Sequence, residues 1–235
     1  KNVVDPEMII QSYGADTARL FMVSDSPPER DLEWTDSGVD GSWRYLNRLW
    51  RLITEPKAPY VPAGTVRPDT LSEDAQKIYT LTHKTIAAVS DDLNKFHLNK
   101  AIARLRELTN ALSQFEGAEG EESWVLREGF EKLVRMIEPM TPHIAAELWN
   151  ELGYESVLCE MPWPQADKSV LEDETVVMPI QINGKRRDQL EVPKDMDAAE
   201  VEKLALALEK VQAALEGKAP KKVIVVPNRI VNVVA

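Results

Sequence analysis

Three arginines with helical spacing are the residues of this 235-residue chain best suited to binding an anion. Arg44, Arg48 and Arg51 repeat at i, i+4 and i+7, which places them in one row along a helix. A guanidinium group carries a planar fork of donors that matches two phosphate oxygens. The row therefore predicts contacts with an RNA backbone, although a solvated face whose arginines pair with nearby acids would have the same pattern.

Two more basic groups could contact a polyanion. The first lies near a predicted helix junction and consists of Lys95, Lys100, Arg104 and Arg106. The second follows a predicted hairpin turn and continues on later strands, and it consists of Lys185, Arg186, Arg187, Lys221, Lys222 and Arg229. Consecutive cations at a hairpin tip attract the phosphates of a folded RNA. Solvated surface for the first group, and protection of edge strands for the second, are the alternatives.

The spacing of the remaining reactive side chains predicts neither a catalytic site nor a metal site. The three histidines, His83, His97 and His143, are far apart and have no triad or metal-ligand spacing with Asp, Glu or Cys. We expect His143 to pack or to cap a helix. Cys159 is the only cysteine, so an intrachain disulfide is impossible, and we expect its side chain to pack near Trp163.

Two other kinds of residue receive a structural interpretation. The acid pairs Asp91-Asp92 and Glu121-Glu122 are typical of solvated helix faces. Trp43 and Trp50 lie on an apolar stripe, so we expect them in the core and not as platforms for RNA bases.

The net charge of −11 disfavours a nucleic-acid partner only if the charge is evenly spread. It is concentrated in residues 113–174, where 4 basic and 15 acidic side chains give −11. Residues 1–39, with 3 basic and 8 acidic side chains, carry −5. Residues 40–112 (11 basic, 8 acidic) carry +3, and residues 175–235 (10 basic, 8 acidic) carry +2. Two segments are therefore free to face phosphate.

Apolar residues with a 3.6-residue period predict a helical bundle over residues 37–153. The stripes are Trp43, Leu46, Trp50 and Ile53; Leu71, Ala75, Ile78, Thr82, Ile86, Val89 and Leu93; Leu98, Ile102, Leu105, Leu112 and Phe115; Trp124, Phe130, Leu133, Val134 and Ile137; and Ile144, Leu148, Trp149 and Leu152. Capping boxes at Ser37-Asp40 and Thr70-Glu73 predict two helix starts. Asp5-Pro6 and Thr141-Pro142 predict two more, since proline suits the first helical position.

The period changes after residue 173 and predicts a small ββαββ unit. Strands are expected over residues 176–182 and 188–192, joined by Asn183-Gly184, the strongest short hairpin signal. A helix is expected over residues 198–215, ended by Gly217, followed by strands at 223–226 and 230–234. The predicted fold class is a multi-domain, mainly α protein, with an antiparallel helical bundle followed by a small α+β domain.

Several segments resemble class I aminoacyl-tRNA synthetases, and specifically bacterial leucyl-tRNA synthetases. KNVVDP at the start resembles the residues after the KMSKS loop, and YGADTARLFM (13–22) resembles the exit from the catalytic domain. LEW with SGVDGSWRYLNRLWRL (within 32–52) and MIEPMTPHIAAELWNELG (136–153) resemble the first and last helices of the anticodon-binding bundle. PIQINGKRRDQLEVPKD and KKVIVVPNRIVNVVA resemble the C-terminal domain of the bacterial leucyl enzymes.

The resemblance implies a division of the chain and a role for it. Residues 1–36 would leave the catalytic domain, 37–172 would form the anticodon-binding-type bundle, and 173–235 would form a C-terminal domain at the outer corner of tRNA. The partners would be leucine tRNA and the catalytic and editing domains of the same polypeptide, which we expect to be a cytoplasmic monomer. ATP with Mg²⁺ would be needed by the parent and no cofactor by this fragment, which begins at Lys1 and lacks the HIGH and KMSKS signatures.

Two rival interpretations stay open. The chain could be the same part of an isoleucyl- or valyl-tRNA synthetase, although the former typically ends in a cysteine zinc site and the latter in a coiled coil. It could also be a helical protein-interaction scaffold with no RNA role. Its acidic bundle is compatible with that function.

Overall fold

The computed structural model describes residues 5–117, 119–171, 175–215 and 220–234. It divides into two compact units, Lys1–Leu171 and Glu172–Ala235. The first is helical and the second is a sheet with helices, so the predicted fold class is confirmed. Within the described ranges, no helix combines the length and apolar character needed to cross a bilayer.

Unit 1 is built from helices that surround one apolar core. They are α1 (Pro6–Tyr13), α2 (Ala15–Ser24), α3 (Asp36–Thr54), α4 (Glu73–Asn94), α5 (Leu98–Gln114), α6 (Gly120–Ile137) and α7 (Pro142–Glu151). Helix α4 packs against α5 and α6, while α3 packs against α2 and α7. The predicted stripe of α4 is confirmed, since Ala75, Ile78, Thr82, Ile86 and Val89 are buried. The assignment of residues 1–36 to the exit from a catalytic domain stays a prediction.

Two helix starts differ from the predicted capping boxes. Helix α3 begins two residues earlier than expected: Thr35, not Ser37, is the N-cap, and its hydroxyl accepts from the Gly38 amide at 3.3 Å. Helix α4 begins after Ser72, whose hydroxyl accepts from the Ala75 amide at 3.2 Å. In both cases a hydroxyl stands just before acidic first-turn residues, which complement the positive end of the helix.

Helix α7 is capped by a residue distant in the chain. Thr141 precedes Pro142 as predicted, but its side chain makes no cap hydrogen bond. Asp16 of α2 replaces it: Oδ2 accepts from the Ile144 amide at 2.7 Å, and Oδ1 lies 2.9 Å from Nδ1 of His143. The Asp16 carboxylate is buried while the His143 side chain is 75% exposed, so the expectation that His143 packs or caps the helix is wrong, and Asp16 is the cap. The arrangement ties α2 to the start of α7.

A polar clamp holds the segment after α7 against α4. Asp167 Oδ1 accepts from the amide and hydroxyl of Ser169 at 2.9 and 2.7 Å, and Oδ2 accepts from the Tyr79 hydroxyl at 2.9 Å. The Asp167 amide donates to Nδ1 of His83 at 2.9 Å. The Ser169 hydroxyl and amide, with Tyr79, lower the pKa of Asp167 from 3.8 to about 2, because each donor stabilises the carboxylate.

We expect the Asp167→Asn variant to lower the free energy of unfolding of unit 1 by about 1–2 kcal/mol at pH 7, from a pKa shift worth roughly 1.4 kcal/mol per unit. Because the pKa is depressed in the folded state, this contribution is present above pH 3.8 and is lost as the pH falls through about 2. All six tryptophans lie in unit 1, so their fluorescence during urea unfolding measures it. Glu155→Gln, at an exposed acid of the same segment, is the control. A difference that persisted unchanged at pH 2 would contradict the clamp.

Unit 2 contains a four-stranded sheet in the order β2-β1-β4-β3. Its elements are β1 (Thr175–Ile182), β2 (Lys185–Pro193), α8 (Ala198–Ala207), α9 (Glu209–Leu215), β3 (Lys222–Val226) and β4 (Ile230–Val234). β1 pairs antiparallel with β2 and parallel with β4, and β3 pairs antiparallel with β4. Positive φ angles at Asn183 (49°) and Gly184 (80°) are those of a type I′ hairpin turn, which confirms the predicted hairpin.

The prediction of a single helix over residues 198–215 is wrong, because the structure has two helices in this range. Leu208 is extended (ψ 131°) and separates α8 from α9. The break lets Val211 and Leu215 join Val201 and Ala205 in one core with the sheet, while Leu204 stays 41% exposed. Gly217, predicted to end the helix, lies outside the described residues.

Candidate nucleic-acid interface

The arginine row on α3 lies on the surface of unit 1. The Arg44 side chain is 68% exposed and its Nε lies 3.0 Å from Asp40 Oδ2. Arg48 donates to two neutral side chains of α5, Asn110 Oδ1 at 2.8 Å and Ser113 Oγ at 2.7 Å. Arg51 is exposed. The row is therefore not buried against the protein's own acids, and only Arg44 pairs with a carboxylate within the described part of the chain.

The prediction that Trp43 belongs to the core is wrong. Its side chain is 40% exposed, and Trp50 is only partly buried. The buried face of α3 is formed by Val39, Ser42, Tyr45, Leu46, Leu49 and Ile53, so it is rotated away from the tryptophans. Trp43 lines a surface groove of about 410 Å³ together with the three arginines and Lys57. An aromatic face beside a row of cations is a combination found where proteins bind unpaired nucleotides.

The second basic group differs from member to member. Lys95 pairs with Asp91 at 2.7 Å, and Arg104 Nε lies 2.5 Å from Oδ2 of the buried Asp92. The expectation that both acids are solvated is therefore wrong for Asp92, whose burial is compensated by its bond to Arg104. Lys100 is exposed on the first turn of α5.

The hairpin tip projects three exposed cations, Lys185, Arg186 and Arg187. The turn is fixed from the neighbouring strand, because the Gly184 amide donates to Asn232 Oδ1 at 3.2 Å and the Asn183 amide donates to the Val233 carbonyl at 2.9 Å. Arg186 Nη2 donates to Gln189 Oε1 at 2.9 Å. Two hydrogen bonds from backbone amides of the turn to β4 thus hold the tip in place while its charges face solvent.

The sheet register divides the last basic group. Lys185 is paired with Ile182, Ile182 with Val233, and Val233 with Val223. The start of β3, with Lys221 and Lys222, is therefore at the same end of the sheet as the hairpin tip. Three strand intervals of about 4.8 Å separate the two, which gives a distance of roughly 14 Å. Arg229 lies in the β3–β4 turn at the opposite end, as the pairing of Val226 with Ile230 shows. The structure brings together five of the six predicted cations of unit 2 and separates Arg229.

Cys159 is exposed, which overturns the expectation that it packs near Trp163. The Trp163 indole instead donates from Nε1 to the Ser90 hydroxyl at 2.8 Å. The sequence carried no signal for this, because the segment between α7 and β1 has no period.

Comparison with known proteins gives one family for the chain. The family model described as the anticodon-binding domain of tRNA ligase matches residues 75–203. The leucine–tRNA ligase of Paramagnetospirillum magneticum is 55% identical over 234 residues, which cover 100% of this chain and 27% of that protein. The leucine–tRNA ligase of Rhodospirillum rubrum is 50% identical, over 99% of this chain and 27% of that protein. The chain thus spans about a quarter of the length of these relatives.

Two solved structures are similar to this chain. The crystal structure of a ternary complex of Agrobacterium radiobacter leucyl-tRNA synthetase with tRNA and LeuAMS matches with a TM-score of 0.80 and 31% identity, over 99% of this chain and 30% of that one. An apo methionyl-tRNA synthetase from Mycobacterium tuberculosis matches 64% of this chain and 35% of its own, with a TM-score of 0.50. Because its identity is 13%, that second likeness concerns the fold alone.

Proposed function

Because the chain belongs to the family of anticodon-binding domains of tRNA ligases, we propose that it is the tRNA-docking part of a leucine–tRNA ligase. The observation that carries the proposal is the end-to-end match, at 55% identity, with a leucine–tRNA ligase. The parent would activate leucine with ATP and Mg²⁺ and transfer it to the 3′ end of leucine tRNA in the cytoplasm, acting as a monomer. ATP and its metal would be bound outside this chain.

The cations of both units would hold the tRNA by its phosphates. In unit 1 these are Arg44, Arg48 and Arg51, with Lys95, Lys100 and Arg104. In unit 2 they are Lys185, Arg186, Arg187, Lys221 and Lys222, with Arg229 at the far end of the sheet. Arg51, Lys100 and the hairpin tip are exposed and would contribute most, whereas Arg104 is committed to Asp92. Such contacts orient the tRNA so that its acceptor end reaches a distant catalytic site, and they do not read its sequence.

Binding of leucine tRNA to the 235-residue chain, followed by fluorescence anisotropy over a range of salt concentrations, tests the proposal. With about six phosphate contacts, we expect affinity to fall about a thousandfold between 50 and 200 mM salt, because each contact releases condensed counterions. The chain alone should give no leucine-dependent exchange of pyrophosphate into ATP. An affinity independent of salt would contradict the role of the cations, and no binding at low salt would favour a protein-interaction scaffold.

A further inference from the structure

Arg106 of α5 has no hydrogen bond or ion pair with another described residue. Its Nε atom is buried and makes no hydrogen bond, and no carboxylate in the described part of the chain pairs with its guanidinium group. The group lies over the ring of Tyr45, 5.0 Å from the ring centre. The ring of Tyr45 therefore orients the guanidinium group. Arg104, two residues earlier, is instead bound to Asp92.

The side chain of Arg106 lines a recess of about 250 Å³ between the end of α2, the start of α3 and α5. Phe21 and Ile102 form apolar walls, and Ser42 and Asn99 add polar groups. A Cβ atom built on Gly41, which also lines the recess, would meet nothing within 4 Å, so the space in front of it is open. The volume is ample for one phosphate group with its ester oxygens.

The charges around the recess favour a phosphate that belongs to a polymer. Asn99 lies in the first turn of α5, where the helix carries partial positive charge, and the exposed Lys100 follows it. The exposed Asp25 also lines the recess and would repel a free anion. A phosphate of an RNA strand can still bind there, because contacts of the same strand with neighbouring cations offset the repulsion by Asp25.

We propose that the Arg106 recess receives one phosphate group of the RNA backbone when tRNA binds, with the guanidinium as its principal donor. This proposal rests on the proposed function. It adds a contact from a partly buried arginine to the contacts proposed for the exposed cations. It predicts that Arg106 contributes more to binding than the acid-paired Arg104 and Lys95, because no intramolecular bond has to be broken first.

Two variants test the recess by different routes. Arg106→Met keeps the aliphatic stem and removes the donors, while Gly41→Leu fills the open space and leaves Arg106 in place. Each should lower the affinity for leucine tRNA about tenfold at 50 mM salt and reduce the magnitude of the salt slope by about one. Ethylation interference gives the specific signature: one phosphate whose ethylation weakens binding to the unmodified chain should lose that effect with Arg106→Met.

Lys77→Met is the matched control, since Lys77 is an exposed cation of unit 1 already paired with Glu73 and Asp74. It should change the affinity less than twofold. Tryptophan fluorescence checks that each variant is folded, and Gly41→Leu decides the outcome if Arg106→Met is not. Unchanged tRNA binding and an unchanged ethylation pattern in both variants would overturn the proposal, even if charging by the parent fell. Failure of the unmodified chain to bind tRNA would instead overturn the proposed function.

Discussion

Reversing the charge of Arg186 and Arg187 to Glu is expected to weaken the binding of leucine tRNA about a hundredfold at 50 mM salt, since two phosphate contacts are lost and two repulsions are added. Both side chains are exposed at a tip whose backbone is held by Asn232 and Val233. The substitutions therefore leave the fold intact and change only what the tip presents to the RNA. In the parent, the KM for tRNA should rise while leucine activation stays unchanged.

The control is a second double reversal in the same unit, Lys203→Glu with Lys210→Glu. Both lysines are exposed on the helices of unit 2. Each double variant replaces two cations by two glutamates, so the change in net charge is identical. Lys210 bonds to Asp188 at 3.1 Å and is 66% exposed. We expect this control to lower the affinity less than fivefold, through the change in net charge, which salt screens, and the loss of the Lys210–Asp188 pair. Equal losses in the two doubles would show that the tip has no special role.

Sequence alone was sufficient for elements with a long period or a strong local turn. The stripe of α4 repeats over the whole helix, so an error of a residue at either end does not change which face is buried. The Asn183-Gly184 turn is determined locally, because few residues tolerate two consecutive positive φ angles.

The orientation of α3 could not be obtained in the same way. The predicted stripe of Trp43 and Trp50 and the observed buried face share Leu46 and Ile53. Phe21 decides between the two orientations: a Cβ on Gly38 would lie 2.5 Å from its ring, so α2 approaches α3 at Gly38. Gly38 has no side chain, which allows this close contact, and the resulting orientation leaves Trp43 in the groove of the arginine row.

The types of the site residues followed from sequence, but their pairing did not. Asp91 and Asp92 are adjacent and chemically identical, yet one is exposed and the other is buried beneath Arg104. Helix packing brings Arg104 to Asp92 from twelve residues away, and Asp16 to α7 from more than a hundred. Such partners depend on tertiary geometry, which a periodic pattern does not encode.

Arg127→Met is expected to destabilise unit 1 by about 3–5 kcal/mol, the usual cost of removing one member of a buried ion pair. Arg127 is 7% exposed, and its Nε donates to Glu131 at 2.7 Å. Its Nη1 donates to the Val61 carbonyl at 2.9 Å, and its Nη2 to the Leu152 carbonyl. One side chain thus joins α6, the loop before α4 and the end of α7. Its loss leaves two carbonyls without their donor, and it leaves the Glu131 carboxylate without a cation, with the Tyr154 hydroxyl still donating at 2.7 Å.

Urea unfolding followed by tryptophan fluorescence measures this loss, and Glu131→Gln completes a double-mutant cycle. The double variant should be less destabilised than the sum of the two single variants, because removing both charges leaves no buried charge unpaired. A loss below about 1 kcal/mol for Arg127→Met would refute the network. Measuring tRNA binding distinguishes a residue that stabilises the fold from a residue that contacts the RNA. The Arg127→Met variant should bind tRNA with normal affinity at temperatures where unit 1 is folded. The hairpin-tip variant should bind weakly at every temperature, since it lacks the cations themselves.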